Sequence, residues 1–316
     1  MEERKIAGHA LLPGQTVRGE YPVEGTALRV PYVLLCGRQP GKTVLITAGI
    51  HNAEYIGIQA AIELSNELRA DELHGTVVIL PLANRSGFEH RTMSMVFEDG
   101  RNLNRVFPGD PHGSTAERLA HMLFTVFIRQ ADAYIDLHSG DGYEGLVPFA
   151  YYLGDTPAEE MSRQMIACVD TAYCVRSRSR TGGAYNLASV GGIPAVLIER
   201  GQLGLLRREE IESDKADVRN TLRCLGALPG ECRRFPKREL LEYNEAAPCT
   251  GCWYPEKKVG EWFREGELLG EIRDYFGQPL RTIRAASDGV MLYQSLSLNV
   301  LENGPMVAYG VPVGAD

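Results

Sequence analysis

The chain has 316 residues, 44% of them hydrophobic and 23% charged, which is typical of a soluble globular protein and long enough to favour two domains. Its net charge is −8, and this argues against nucleic acid as a partner, because nucleic-acid-binding proteins concentrate Lys and Arg on one face. No apolar run reaches the roughly 18 residues of a membrane span, and the N-terminus lacks a signal-peptide core, so we expect a cytoplasmic protein with no membrane partner.

Strands alternate with helices over the first three quarters of the chain. Residues 1–40 suggest short strands and turns; further on, short apolar runs predict buried strands, and apolar residues at helical spacing predict helices. In chain order we predict strand 43–50, helix 57–70, strand 76–84, helix 114–131, strand 133–139, helix 157–174, strand 193–201 and helix 208–228. Ser114 and Glu117 form a capping box at one helix start. The alternation predicts an α/β fold with a mostly parallel sheet.

The pattern changes after about residue 230, where short alternating strands and regularly spaced glycines replace the helices. Such a pattern is typical of an all-β unit. We therefore predict an α/β domain over residues 1–235 and a smaller C-terminal β domain over residues 236–316. This second domain contains candidate edge strands, which neither indicate nor exclude contacts with another copy of the chain.

Seven cysteines are scattered along the chain without regular spacing. In a chain of this length without a signal peptide, we expect free thiols. Cys249 and Cys252 form a lone CxxC, whereas a structural zinc site normally needs a second pair or histidines. No histidine follows His138, so we interpret the pair as incidental thiols.

Three predicted strands end at ionisable residues: His51 and Glu54 follow the first, His138 ends the second, and Glu199 ends the third. Ligands of α/β sheets gather at the carboxyl ends of the strands, so we expect these side chains at one edge. A single histidine there is more often structural, but two imidazoles and one carboxylate together form the ligand set of a catalytic zinc site. Glu199 is the spare carboxylate, which we assign as the base that takes a proton from water. Affinity alone does not separate zinc from other divalent metals.

The segment EDGRNLNRVFPGD, residues 98–110, lies between these ligands and places two arginines and two asparagines within five residues. Arginine binds a carboxylate through two hydrogen bonds and keeps its charge. A polar surface loop is the simpler interpretation. Beside a metal site, we favour a clamp for the carboxylate of a substrate.

Four motifs occur in a specific order: HNAE at 51–54, GRNLNRVFPG at 100–109, IDLHSG at 135–140 and PAVLIERG at 194–201. Their order and spacing resemble the succinylglutamate desuccinylase/aspartoacylase family, which is related to the zinc carboxypeptidases. The resemblance covers about residues 30–310. It implies a carboxypeptidase-like, mostly parallel mixed sheet flanked by helices, followed by a barrel-sandwich-like β domain. That domain lacks a suitably placed lysine, so we do not expect a lipoyl or biotinyl carrier.

The resemblance implies a mononuclear zinc amidohydrolase with one Zn2+ per chain. By the same analogy, His51, Glu54 and His138 hold the metal, and Glu199 is the general base. The residues 1–235 then form the zinc-dependent catalytic domain.

The family also provides residues that bind the substrate and stabilise its oxyanion. Asn104 and Arg105 match the pair that holds the free carboxylate of the substrate. In the family, an arginine upstream of this pair stabilises the oxyanion, and we assign this role to Arg91. The stretch between Arg91 and Asn104 is longer than in aspartoacylase, which leaves Arg85 and Arg101 as alternatives.

The sequence therefore predicts a deacylase that cleaves the amide bond of an N-acylated amino acid or a similar small carboxylate-bearing amide. Asn102 occupies the position of an aspartate in aspartoacylase, so we expect neither aspartate nor succinylglutamate specificity. Tyr143, Tyr185 and Tyr293 are candidate pocket residues, with side-chain packing as the alternative for each. The alternative functions are a zinc carboxypeptidase for short peptides and, less favoured, a non-catalytic ligand-binding member of the fold.

Overall fold

A mixed sheet of 13 strands runs through the chain and places the candidate site near its middle. The structure, a computed structural model, describes residues 5–314. Its strands are β1 (Lys5–Ile6), β2 (His9–Ala10), β3 (Thr16–Pro22), β4 (Arg29–Cys36), β5 (Gln39–Ala48), β6 (His74–Leu80), β7 (Ala133–His138), β8 (Glu144–Leu146), β9 (Phe149–Leu153), β10 (Tyr173–Ser177), β11 (Ala195–Glu199), β12 (Arg238–Ala246), β13 (Gly251–Pro255), β14 (Trp262–Phe263), β15 (Leu268–Arg273), β16 (Pro279–Arg284), β17 (Gly289–Ser295), β18 (Asn299–Val300) and β19 (Pro305–Pro312).

Six α-helices are described between these strands. They are α1 (Tyr55–Glu67), α2 (Arg85–His90), α3 (Thr115–Met122), α4 (Glu159–Ile166), α5 (Ala184–Val190) and α6 (Arg208–Cys224). Short 3-10 turns lie at Ala70–Glu72, Leu103–Arg105 and Ile128–Gln130, and a π turn lies at Leu123–Phe127. Within residues 5–314, no helix is long and apolar enough to cross a membrane.

The strand order of the large sheet is β14-β17-β19-β12-β10-β9-β11-β7-β5-β6-β4-β3. The central strands β6, β5, β7 and β11 are parallel to one another. Strands β9, β10 and β12 are also mutually parallel but run antiparallel to β11. Antiparallel pairs extend both ends, and β8 pairs with β17 outside this path. The predicted parallel pairing is therefore confined to the centre, and the sheet as a whole is mixed.

Both faces of the central strands are buried, which explains their continuous apolar sequences. Val44 and Ile46 of β5 join one core, whereas Leu45 between them joins the other. Side chains of α1, α4 and α6 cover the first core, and side chains of α3 and α5 contribute to the second. The helices thus leave the carboxyl ends of the parallel strands for the loops that carry the site.

The C-terminal part consists of β-strands, as predicted. Strands β12, β14, β17 and β19 extend the large sheet, and β13, β15, β16 and β18 form a separate four-stranded sheet. A third core, which includes Trp253, Ile272, Met291 and Tyr309, lies within this part of the chain. The barrel-sandwich-like expectation is consistent with two sheets that share one apolar core.

The predicted helix 157–174 is wrong in its second half. Helix α4 ends at Ile166, and Tyr173 and Cys174 belong to β10. Strand β10 pairs with β9 on one side and β12 on the other, so backbone hydrogen bonds on both edges outweigh a helical spacing of apolar residues. The predicted helix 114–131 is α-helical only from Thr115 to Met122, after which the π and 3-10 turns follow.

Candidate metal centre and active site

Two parallel strands deliver the three predicted metal ligands to one edge of the sheet. Strand β7 ends at His138, and His51 follows β5 after a turn at Gly49. Gly49 has a φ of +68°, which favours glycine, and a Cβ there would lie 2.8 Å from a methyl carbon of Leu82. Glu54 is the N-cap of α1, yet its side chain makes no capping hydrogen bond. Its carboxylate is instead directed towards the two histidines.

Glu54 lies between the two imidazoles. Its Oε1 is 2.7 Å from His51 Nδ1, and its Oε2 is 2.9 Å from His138 Nδ1. The ligand atoms of the three residues all lie within 4.8 Å of one another. Burial acts to raise the pKa of Glu54, but His138 and His51 together hold that pKa at about 2. The carboxylate is therefore ionised at neutral pH.

The outer nitrogen of His51 faces a hydrogen-bond acceptor. His51 Nε2 is 3.2 Å from Asn102 Oδ1, and the same oxygen accepts a hydrogen bond of 2.8 Å from the backbone N–H of Asn104. The second contact fixes the orientation of the Asn102 amide, because only its oxygen can accept from an N–H. His51 therefore donates from Nε2, and Nδ1 is left with its lone pair towards Glu54 in the neutral ring.

His138 faces a second acidic residue, Asp136, at ion-pair distance and without a hydrogen bond between the two side chains. Its Nε2 is 3.3 Å from Asp136 Oδ2, and Asp136 Oδ1 accepts a 2.6 Å hydrogen bond from Thr47 Oγ1. Burial acts to lower the pKa of His138, but the carboxylates of Glu54 and Asp136 raise it well above its ordinary value. Carboxylate partners on the outer nitrogen are typical of histidines that bind metals.

The donor set fits a divalent cation. With both Nε2 atoms facing acceptors, two imidazole lone pairs and a carboxylate converge at distances below 3 Å. Lone pairs at this spacing repel one another unless protons or a cation lie among them. Two nitrogens and one carboxylate match the protein ligands of catalytic zinc. His138 and Glu54 are 1% and 3% exposed, and in such a buried place the Glu54 carboxylate attracts a cation more strongly than it would in water.

Glu199 lies on the neighbouring strand at the same level as His138. The two residues are Cα partners in the parallel pair β11–β7, so their side chains point to the same face. Burial, followed by the negative charge of Glu54, raises the pKa of Glu199 well above its ordinary value, and His138 opposes this shift. The structure thus brings together all four residues that the sequence predicted at this edge.

Further carboxylates surround the cluster. Burial raises the pKa of Glu144 well above its ordinary value, and the charges of Asp141, Glu54 and Glu242 raise it further. The guanidinium of Arg105 opposes this shift. The space beside the candidate metal ligands is therefore strongly acidic.

Asn104 and Arg105 lie in the 3-10 turn Leu103–Arg105, close to the start of α5. Asn104 is buried, and its Oδ1 accepts a 2.9 Å hydrogen bond from the backbone N–H of Ala184. The exposed Arg105 donates from Nη1 to the Asn104 carbonyl at 3.0 Å. The oxygen of Asn104 is therefore used for positioning, and its amino group is the part that can serve a ligand.

The three candidate arginines lie at different places. Arg85 pairs with Glu20 and Glu89 on the surface, and Arg101 pairs with Glu117. Arg91 is the left-handed C-cap of α2, with a φ of 55°. It lines a surface cavity together with Tyr55, Phe88 and Leu206. Arg85 and Arg101 are therefore held in ion pairs with other residues. Within the described residues, no contact joins Arg91 to the three-ligand cluster.

The three candidate pocket tyrosines lie in different surroundings. Tyr143 is 59% exposed, and Tyr185 is buried. Tyr293 donates a 2.9 Å hydrogen bond to Glu242 Oε1, and Tyr151 donates to the same oxygen. The sequence interpretation missed Tyr151 and Glu242. The aromatic run FAYYL at 149–153 is the signal that would have indicated β9.

Asn102 and Asp136 were also missed as positioning residues, although both belong to the quoted motifs. Asp136 precedes His138 by two residues in a strand, and this spacing alone places the two side chains on one face. Asn102 carried no comparable signal, because its contact with His51 spans 51 residues of sequence.

Comparisons with known proteins find a matching family and a curated relative. Residues 40–225 match the succinylglutamate desuccinylase/aspartoacylase catalytic domain. The N-alpha-acetyl-L-2,4-diaminobutyric acid deacetylase of Halomonas elongata is 29% identical over 279 residues, which cover 84% of this chain and 80% of the relative.

Solved structures share the fold over nearly the whole chain. The product-bound ectoine utilization protein EutE (DoeB) from Ruegeria pomeroyi has a TM-score of 0.84 and 24% identity, covering 95% of this chain and 97% of that chain. A succinylglutamate desuccinylase/aspartoacylase from Rhodobacter sphaeroides has a TM-score of 0.83 and 24% identity, covering 94% of this chain and 96% of that chain. The fold class predicted from the sequence is confirmed.

Proposed function

Because the chain belongs to the succinylglutamate desuccinylase/aspartoacylase family, we propose that it is a zinc-dependent amidohydrolase that deacylates an N-acylated amino acid or a similar small carboxylate-bearing amide. One observation supports this proposal above the others. Glu54 contacts Nδ1 of both His51 and His138, and the outer nitrogens of both rings face acceptor oxygens. This arrangement directs the Nδ1 atoms of both rings and the Glu54 carboxylate, all of which can bind a metal, at the centre of the cluster.

His51, Glu54 and His138 would hold one zinc ion, which supplies a Lewis acid for the amide carbonyl and lowers the pKa of water. Asn102 and Asp136 keep the two rings in the required tautomer. Their positions are set by hydrogen bonds to the backbone N–H of Asn104 and to Thr47, respectively, so the ligands are oriented before any metal binds.

Glu199 is the proposed general base and acid. Its position on the same face as His138 allows it to take a proton from the attacking water and return that proton to the departing amine. Burial and the neighbouring charge of Glu54 favour the protonated carboxyl, which is the form needed for the second transfer. Glu199→Gln keeps the size of the side chain and removes this capacity.

Asn104, through its amino group, and Arg105 are the proposed partners of the substrate carboxylate. Arg105 is the cation within electrostatic reach of the acidic group around Glu144, so it is suitably placed to hold an anion there. Arg91 is the proposed oxyanion residue. Among residues 5–314 it makes no ion pair, unlike Arg85 and Arg101, and a side-chain movement from the surface cavity would be needed.

The acidic surroundings favour a substrate that also carries a positive charge. Asp141 and Glu242 both lie within electrostatic reach of Glu144, and the repulsion between these carboxylates and Glu144 is relieved when a cation binds beside them. The Halomonas elongata relative is named for an acetylated diamino acid. We therefore propose an N-acyl amino acid with a second, free amine as the preferred substrate.

This preference is measurable with matched substrates. The kcat/KM for Nα-acetyl-2,4-diaminobutyrate should exceed that for Nα-acetyl-2-aminobutyrate, which lacks only the terminal amine. Glu144→Gln should reduce the ratio of the two values. An equal kcat/KM for both substrates in the native enzyme would contradict a role for the acidic group.

We also propose that residues 1–235 form the catalytic domain and that residues 236–316 form a β domain that narrows the pocket. The separate C-terminal core supports the division. Glu242 from β12 meets Tyr151 from β9, so the β domain contributes to the wall of the site. A pocket closed in this way favours small substrates over the peptides of the carboxypeptidase alternative. We also propose that copies of the chain associate through the edge strands of this domain. Sedimentation analysis would test this association.

The first experiment is the metal content of the purified protein. At the centre formed by His51, Glu54 and His138, about one zinc per chain is expected for the native protein, and this zinc should be lost in His138→Ala. Retention of stoichiometric zinc at this site in His138→Ala would contradict the ligand assignment.

Activity is then tested with a panel of N-acetyl amino acids and a panel of dipeptides. Glu199→Gln should bind zinc normally and lose hydrolysis by about 100-fold or more. Faster release of C-terminal residues from dipeptides than of acetate from N-acetyl amino acids would favour the carboxypeptidase. A zinc-loaded enzyme that cleaves neither class would favour a ligand-binding protein.

A further inference from the structure

Three cysteines that are far apart in the sequence meet outside the candidate metal centre. Cys168 follows α4, Cys224 is the last residue of α6, and Cys232 lies in the segment between α6 and β12. Their sulfur atoms all lie within 4.8 Å of one another. Cys168 is buried, and the other two are half-buried. All three are free thiols, and regular sequence spacing gave no indication that they would meet.

The backbone holds these thiols together without a disulfide between them. The buried side chain of Asn220 donates to the Cys168 carbonyl at 2.6 Å and to the Arg233 carbonyl at 2.7 Å. Its Oδ1 accepts from the Arg233 N–H at 2.8 Å. A further hydrogen bond of 2.7 Å joins the Phe235 N–H to the Ala167 carbonyl. One asparagine thus fixes the segment that carries Cys232 against the segment that carries Cys168.

The chemistry around the sulfurs suits a soft cation. Cys168 and Cys224 both donate to the carbonyl oxygen of Gln164, at 3.4 and 3.7 Å, so an oxygen lies beside the three sulfurs. Arg234 lies within electrostatic reach of Cys224 and partly offsets the negative charge of a thiolate group. Thiolate ligands select Zn2+ and Cu+ over hard cations such as Mg2+ and Ca2+.

We propose that Cys168, Cys224 and Cys232 form a second, structural zinc site. Tetrahedral zinc with bonds of about 2.3 Å to sulfur separates its ligands by about 3.8 Å, so thiols already within 4.8 Å need to shift by about 1 Å or less. The fourth position is available to an oxygen ligand. A zinc ion here ties the segment 225–237, which leads into the C-terminal β strands, to α4 and α6.

Cobalt distinguishes this site from the proposed active site. Cobalt bound by thiolates gives an intense sulfur-to-metal charge-transfer absorption in the near ultraviolet, whereas cobalt bound by two histidines and a carboxylate does not. The reduced, metal-free, full-length protein is titrated with Co2+ under an inert atmosphere. The absorption should reach its maximum at one thiolate-bound cobalt per chain and should disappear when Zn2+ is added.

Variants assign the absorption to the three cysteines. It should persist in His138→Ala and in Cys36→Ser, which removes a half-buried thiol outside the group. It should be lost in Cys232→Ser, and Zn2+ affinity at this site should fall by more than about tenfold, since a ligand is removed rather than an outer contact. Cys224→Ser is the second variant, and far-ultraviolet circular dichroism confirms that each protein is folded.

Stability provides an independent measurement. In the His138→Ala background, Zn2+ should still raise the Tm, and it should fail to do so when Cys232→Ser is added. Absence of the charge-transfer absorption from fully reduced native protein, or its persistence in both cysteine variants, would overturn the proposal. A count of free thiols that is two lower before reduction than after it would also overturn the proposal, because two of the sulfurs would then form a disulfide.

Discussion

The side chain of Arg200, the residue after Glu199, lies in a buried cluster of charged groups. Its Nε donates to Asp214 Oδ1 at 3.1 Å, and its Nη2 donates to Asp217 Oδ2 at 2.5 Å and to the Asp170 carbonyl at 3.0 Å. The side chain is 8% exposed, and those of the two aspartates are 0% and 3% exposed. Arg200→Met keeps an unbranched side chain and removes the guanidinium from between the two carboxylates.

The expected loss follows from what remains in the folded protein. Two carboxylates would be left buried without their cation, and breaking a buried ion pair by removing one partner typically costs about 3–5 kcal/mol. That is a large part of the about 5–15 kcal/mol that separates a folded domain from its unfolded state. Burial already raises the pKa of Asp214 well above its ordinary value, so loss of Arg200 should drive proton uptake as well.

Urea unfolding followed by circular dichroism at pH 7 measures this loss. The matched control is Arg219→Met on the same α6, because Arg219 pairs with the half-exposed Glu67 and such surface pairs contribute about 0–1 kcal/mol. Neutralising the aspartates as well, in Arg200→Met/Asp214→Leu/Asp217→Asn, should recover much of the stability. A loss below about 1 kcal/mol in Arg200→Met, equal to that of the control, would refute the reasoning.

Three further predictions concern other parts of the chain. Asp136→Asn should weaken zinc binding by about 10- to 100-fold in calorimetric titrations, and unchanged affinity would exclude Asp136 as the partner of the ligand imidazole. A hydrogen bond from Arg208 holds the pKa of Glu63 at about 2, below its ordinary 4.5, so its stabilisation is complete above pH 4.5 and is lost as the pH falls towards 2. Glu63→Gln should therefore flatten the acid limb of the stability profile, and an unaltered slope would contradict the shift. Gly270→Ala would place a Cβ 2.4 Å from Cη2 of the buried Trp253, and the expected destabilisation of about 1–3 kcal/mol should appear as a lower Tm.

The centre of the fold and of the candidate site could be predicted because local sequence determines both. Continuous apolar runs indicate strands buried on two faces, and parallel strands end at a common edge. His51, Glu54, His138 and Glu199 are close because each lies at such an end. The three-ligand cluster therefore follows from strand ends alone, without knowledge of the full topology.

Contacts that depend on distant segments could not be predicted in this way. Glu242 reaches Tyr151 only because β12 joins the large sheet beside β10, and nothing near either residue indicates that pairing. The three clustered cysteines lie on separate segments, and their proximity depends on the packing of α4 against α6. Arg91 shows the same limit, since the sequence leaves three arginines as candidates and does not fix the direction of any of their side chains.

The position of the ligand-bearing strands within the sheet also determines how the protein can open locally. Strands β5, β7 and β11 have three strands beyond them on one side and six on the other. Fraying starts at the outer strands, so β3 and β14 can separate while the proposed metal ligands keep their places. Amide hydrogen exchange should therefore be slowest at β5, β7 and β11 and should reach their backbone only through global unfolding. A centre arranged in this way remains assembled during the partial openings that expose the edges of the sheet to proteases.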